Sequence, residues 1–178
     1  IEPRLSNTAA KADNWIAVNP GTESVLSLGM AHVIIKESLY HAGFIGENTT
    51  GFETWKKMVL DGYGPAHVAK VTGVEENTTV KLAKDFAQAK KPLAICGRGK
   101  GLVPGSVTEF IAVHALNALV GNIGKEGGVW AVPEMDYINW PDPEMDNIAA
   151  AGMQQKRLDM AGSSKYPHAR YLLNRLPE

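Results

Sequence analysis

Between Glu23 and Tyr40 the chain carries Val25, Leu26, Leu28, Met30, Val33, Ile34 and Ile35. At helical spacing these side chains cover most of the circumference, so the helix needs cover on every side and is expected between layers. It opens on turn chemistry at Asn19-Pro20-Gly21-Thr22, with Thr22 placed as N-cap and Glu23 in the first turn, where a carboxylate suits the helix dipole. It is not a membrane span. Its most apolar stretch, residues 25–35, is broken by Ser27, Gly29 and His32 and falls short of the roughly 20 residues a span needs. The 178 residues, 44% of them hydrophobic, are enough to bury one substantial core around it.

The flanking segments name the layers. Ile1-Glu2-Pro3-Arg4 reads as the end of a strand whose start is missing, and Ser6 to Ala12 as a short helix. Trp15-Ile16-Ala17-Val18 is a compact apolar run that suits a strand. Thr50-Gly51-Phe52-Glu53 has capping-box spacing and predicts a helix to about Asp61. A short helix is expected over Pro65 to Val71, ended by Gly73, and an amphipathic one from Thr78 or Thr79 to Lys90. Pro92-Leu93-Ala94-Ile95-Cys96-Gly97, after a helix and before glycines, reads as a buried parallel strand. Gly97-Arg98-Gly99-Lys100-Gly101 forms a loop, Ser106 and Glu109 open a helix through Val120, and Gly121 stops it. The four glycines of residues 121–128 require a tight, irregular loop. This alternation predicts an α/β domain with a mainly parallel sheet. It covers residues 1–130, and residues 131–178 form an irregular, polar arm with helical stretches expected over Asn147 to Met160 and His168 to Leu176.

Several functions are excluded. A net charge of −1 with no basic block gives no electrostatic reason to bind nucleic acid. The single cysteine, Cys96, forbids an intrachain disulfide and a cysteine-ligated iron–sulfur cluster within this segment. No direct membrane insertion is expected. The chain opens Ile-Glu-Pro-Arg rather than with Met, so it is read as a piece of a larger protein.

In doubly wound sheets, ligands sit beyond the carboxyl ends of the strands. Three segments are expected to meet there: Glu2-Pro3-Arg4, Asn19 to Glu23 and Gly97 to Gly101. Glu2 is placed to accept from ribose hydroxyls, and Glu23 from the N1–H and exocyclic amine of guanine. The glycine loop lets backbone N–H groups approach a phosphate or a flat ring. Each feature also has a bland reading: a solvated acid, a helix-dipole partner, and a short loop without the GxGxxG fingerprint. His32 and His114 fall on apolar helix faces and read as core residues, Cys96 as strand packing, and Asp142, Glu144 and Asp146 as a solvated loop.

Taken in order, these segments resemble the molybdopterin oxidoreductase family, the dimethyl sulfoxide reductase superfamily. The resemblance rests on Glu2-Pro3-Arg4, Ala12-Asp13-x-Trp15, Pro20-Gly21-Thr22-Glu23, Pro92 to Gly99, and Leu116-Asn117-Ala118-Leu119-Val120-Gly121-Asn122-Ile123-Gly124-Lys125-x-Gly127-Gly128. It implies a partial, Rossmann-like three-layer domain that holds one molybdopterin guanine dinucleotide. By the resemblance, Glu23 takes the guanine-binding position and Glu2 the acid of the Pro-Arg block. Pro20, Gly21, Thr22, Gly97, Arg98 and Gly99 line the cofactor, and Asn122 lies in the loop near it. Two glutamates, where many members carry aspartate, look closest to the branch of quinone-linked respiratory complexes and sulfur-compound reductases. The resemblance also implies an oxidoreductase parent, active in anaerobic respiration at the periplasmic face or in a membrane-associated complex. The metal ligand and cluster cysteines would lie outside this segment, which is then inactive alone. The implied partners are the remaining domains of that parent and its iron–sulfur and membrane subunits. A cofactor-free scaffold domain, or the central domain of a thiamine-diphosphate enzyme, are the alternatives.

Overall fold

The computed structural model describes residues 1–96, 106–132 and 144–155, with 157, 160 and 163 singly. The chain divides into two compact units, residues 1–132 and 133–178. In the first, a short 3-10 turn (Ala9–Lys11) precedes α1 (Glu23–Lys36), α2 (Ala42–Asn48), α3 (Phe52–Gly62), α4 (Pro65–Thr72), α5 (Glu76–Gln88) and α6 (Ser106–Leu119). In the second, α7 (Asn147–Gln154) begins at Asp146, whose carboxylate accepts from the N–H groups of Ile148 and Ala149. None of the helices among the described residues is long and apolar enough to cross a membrane.

The all-round apolar helix sits where its pattern demands. Residues 26–35 of α1 are all buried, and α1 packs against α3, α4, α5 and α6. Gly29 permits the α4 crossing: a Cβ there would come within 2.7 Å of the Val68 side chain. The main core joins Leu28, Val33 and Ile34 of α1 to Ile45, Val59, Ala83, Leu116 and Leu119. A smaller cluster of Val18, Leu26, Val68 and Val74 packs the end of the 15–18 segment against α1 and α4.

Several helix starts use different chemistry from that expected. The N-cap of α3 is Gly51 in the left-handed conformation (φ 76°), with no side-chain cap, so the Thr50–Glu53 capping box does not form. The amphipathic helix α5 begins at Glu76, ahead of both threonines, and the Thr79 hydroxyl donates back to the Glu75 carbonyl within the helix. Helix α1 stops at Lys36 rather than Tyr40; Ser38 turns the chain at φ 57°. Helix α2 has no counterpart in the sequence reading: the His41 imidazole caps it by accepting from the N–H of Phe44 at 3.0 Å. Helix α4 matches its expected span to one residue and ends on left-handed Gly73. The stretch expected at His168 to Leu176 lies outside the described residues.

The described residues contain no β-strand, only an isolated parallel bridge between Ile123 and Val129. Residues 15–18 and 92–96, expected as strands, run without regular structure. The reason is visible in their hydrogen bonds. The 15–18 segment meets residue 2 through one backbone bond, Glu2 N–H to Ile16 O at 3.2 Å. On the 92–96 segment the N–H and C=O of Ala94 both go to the side chain of Asn117 rather than to another backbone. A ladder needs a backbone partner, and here a side-chain amide stands in its place.

Candidate functional site

Glu23 is the expected site residue with the most distinctive setting. It opens α1 and is only 7% exposed. With Ser27, Leu93, Ala94, Ile95, Cys96 and Glu109 it lines a cavity of about 350 Å³ that reaches Ile1. The structure therefore brings the start of α1 and the segment leading to the glycine loop to one cavity. Two carboxylates, the Ser27 hydroxyl and a thiol, whose Sγ donates to Glu109 Oε1 at 3.7 Å, interrupt its apolar lining. A buried carboxylate at a helix N-terminus, where the dipole favours its charge, is equipped to accept hydrogen bonds from a donor-rich ligand edge.

The turn before Glu23 is held from behind. Asn19 donates its backbone N–H to Thr72 O at 2.8 Å and its Nδ2 to Val71 O at 3.0 Å, which ties the turn to the C-terminus of α4. Thr22 occupies the N-cap position, but its hydroxyl donates to Asn19 O at 2.7 Å rather than accepting from the helix. Exposed Gly21, at φ 79°, lets the chain reverse after Pro20, with open space where a Cβ would sit.

The other expected residues fall elsewhere. The Glu2 carboxylate accepts from the Ser6 hydroxyl at 2.6 Å, and the Glu2 carbonyl accepts from the Trp15 indole at 3.0 Å. Glu2 and half-buried Pro3 are not among the residues lining the Glu23 cavity, and Arg4 is exposed. Asn122 is buried with its Nδ2 donating to Pro92 O. Gly97, Arg98 and Gly99 lie outside the described residues. His32 is buried with Nδ1 3.3 Å from Val59 O, and His114 is half-buried against Phe110, ring centroids 4.2 Å apart. Among the described residues no cluster of His, Cys, Asp and Glu has metal-binding geometry.

Three residues support the site through contacts that the sequence does not reveal. Asn19, Thr72 and Asn117 look like ordinary polar residues in a string, because their partners lie 23 residues or more away, or, for Thr72, depend on where a helix ends. The 3-residue spacing of His114 and Asn117 was visible; the reach of Asn117 to Ala94 was not.

The chain matches the family model described as molybdopterin oxidoreductase over residues 1–174. It is 32% identical over 191 residues to the molybdopterin-containing subunit of the arsenate respiratory reductase of Chrysiogenes arsenatis, covering 94% of this chain and 22% of that protein. It is 36% identical over 135 residues to the molybdopterin-binding-like subunit of menaquinone reductase of Nitratidesulfovibrio vulgaris, covering 74% of this chain and 18% of that one. Among solved structures, acetylene hydratase from Pelobacter acetylenicus superposes with a TM-score of 0.68 at 30% identity, covering 75% of this chain and 18% of that chain. The chain thus spans about a fifth of the length of the relatives it matches. With nearly the whole chain matched by the family model, and with relatives that include arsenate, thiosulfate and dimethyl sulfoxide reductases, the chain belongs to the molybdopterin oxidoreductase family.

Proposed function

We propose that this chain supplies part of the binding site for one molybdopterin guanine dinucleotide in an oxidoreductase, and that it does not turn over substrate alone. The observation that carries the reading is Glu23, a buried carboxylate at the start of α1, facing the same cavity as the segment that leads into the glycine loop. The residues suit the group: a carboxylate matches the two adjacent donors of a guanine edge, and the apolar walls Leu26, Met30, Leu93 and Ile95 suit a flat ring. When bound, the cofactor supplies the metal-centred redox chemistry. This chain's own residues bind and orient it. Glu23 accepts from the base, the Pro20–Thr22 turn sets the direction of that carboxylate, and Gly97, Arg98 and Gly99 approach the dinucleotide. Glu2 is placed for a ribose hydroxyl on exchanging its bond from Ser6, with Pro3 and Arg4 shaping that corner, and Asn122 supports the wall.

The finer fold reading belongs to the same proposal. Residues 1–4, 15–18 and 92–96, irregular among the described residues, would pair as strands of a mainly parallel, Rossmann-like sheet in the intact protein, with residues 1–130 as the nucleotide-binding domain and 131–178 as an arm toward other domains. The partners are then the remaining domains of the same protein and the iron–sulfur and membrane subunits of a respiratory complex. Relatives named as subunits of an arsenate respiratory reductase and of a menaquinone reductase support this.

Calorimetric titration of the 178-residue chain with GDP and, separately, ADP tests the reading. GDP is expected to bind more tightly than ADP, and Glu23→Ala to weaken GDP by about 10-fold or more, the size of losing a charge-assisted hydrogen bond. Equal affinity for the two nucleotides, or an unaltered GDP affinity in Glu23→Ala, overturns it.

A further inference from the structure

The segment that walls the Glu23 cavity is held in an unusual way. Asn117, fully buried on α6, accepts from Ala94 N–H through Oδ1 at 2.9 Å and donates to Ala94 O through Nδ2 at 2.8 Å. One side-chain amide thus satisfies both backbone groups of one residue, the pattern a neighbouring strand would supply. The orientation of the amide is unambiguous, because the N–H needs the oxygen and the C=O needs the nitrogen. Nδ2 also lies 3.4 Å from His114 Nδ1. Two residues earlier, Asn122 donates to Pro92 O from the loop that follows α6. That loop is closed on itself by Val129 N–H to Asn122 O at 2.9 Å and Gly124 N–H to Val129 O at 2.8 Å. Both anchors therefore come from one end of α6 and grip one stretch of backbone.

The segment has few other ties. Leu93 and Ile95 are 43% and 76% exposed, while Pro92, Ala94 and Cys96 are half-buried, a period of two. The N–H and C=O of Ala94 both go to the α6 side.

We infer that Asn117 and Asn122 are positioning residues: a two-amide clamp that fixes the 92–96 segment to α6 and its following loop and so sets where the cavity wall lies. For its effect on ligand binding this rests on the cofactor reading; for its geometry it does not. Neither residue need touch the ligand. The clamp explains why Asn is required at 117: Asp keeps an acceptor for Ala94 N–H but sets a second oxygen against Ala94 O, and Leu leaves both groups without partners.

Amide hydrogen exchange of the 178-residue chain, with GDP titration alongside, tests this. In the unsubstituted chain the Ala94 amide is expected to exchange at least ~10-fold more slowly than those of Leu93 and Ile95, as a bonded group flanked by open ones. Asn117→Asp is expected to quicken Ala94 exchange by ~10-fold or more beyond any factor by which the α1 amides quicken, and to weaken GDP by a similar factor. Asn122→Ala, whose loss spares the buried amide of α6, is expected to move the same readouts in the same direction and keeps the test available if Asn117→Asp does not fold. An Ala94 amide as open as its neighbours overturns the clamp. So does a variant in which Ala94 quickens by no more than the α1 amides do, since that marks general destabilisation alone. If the unsubstituted chain binds no GDP, the cofactor reading fails, and the exchange pattern still decides the clamp.

Discussion

The side chain of Asn19 reaches 3.0 Å to the carbonyl oxygen of Val71, 52 residues later, and so fastens the turn that presents Glu23 to the end of α4. The joint is reinforced next door. The buried Thr72 hydroxyl donates to Val68 O at 2.8 Å and accepts from Val74 N–H at 3.1 Å. Left-handed Gly73 lies against Asn19, with its would-be Cβ 3.2 Å from Oδ1. Asn19→Ala removes one solvent-exposed bond and is expected to cost about 1 kcal/mol, whereas Thr72→Val strands the Val74 N–H in the interior and is expected to cost about 1–3 kcal/mol. Urea unfolding of both variants checks the order.

Two glycines inside helices should respond oppositely to alanine. At Gly29 the added methyl meets Val68 at the α1–α4 crossing, and the expected loss is about 1–3 kcal/mol from overpacking. At Gly46 in α2 nothing lies within 4 Å, and alanine there is expected to gain about 0.5–1 kcal/mol from its lower backbone entropy. Thermal melts that move Tm down for the first and up for the second bear this out.

Gly128 should tolerate no side chain. A Cβ there would fall inside contact distance of both the backbone oxygen and the Oδ1 of Asn122. Gly128→Ala is therefore expected to displace Asn122 from Pro92 and to quicken exchange at the Val129 amide, which bonds to Asn122 O. Exchange rates at Val129 indistinguishable from those of the unsubstituted chain would count against the close approach.

His41 caps α2 through a ring nitrogen, and its backbone N–H donates to Leu119 O at 2.7 Å. His41→Ala is expected to cost about 1 kcal/mol, as for other lost caps, and His41→Asn to recover most of it, because a short side-chain oxygen serves the same N–H. Denaturation midpoints of the two variants give the comparison.

The helical packing of this domain was readable wherever packing dictates pattern, whereas the expected sheet has no counterpart among the described residues. The circumference of α1, the Gly73 stop and the span of α4 follow from apolar spacing and from the special backbone of glycine. Helix ends were less readable, because local spacing does not reveal which oxygen a hydroxyl will meet. Thr22 and Thr79 look like caps, yet both donate to backbone carbonyls. Helix α2, only seven residues long, has little room for a period and takes its cap from an imidazole, which no common capping rule anticipates. In the site, Glu23 stood out through its Pro-Gly turn. Asn117 could be paired with His114 by their spacing, but its bonds to Ala94, 23 residues away, could not be read from the sequence.

Helix α1 touches α3, α4, α5 and α6 at once, and its residues 26–35 are shielded from water on all sides. A helix so placed has no surface on which it can detach alone. Its backbone amides become exchangeable only when the helices around it part, so they report the complete opening of the domain and not a local breath. The carboxylate of Glu23 rides on the first turn of that same helix. The Glu23 backbone is therefore anchored to the most durable part of the packed unit.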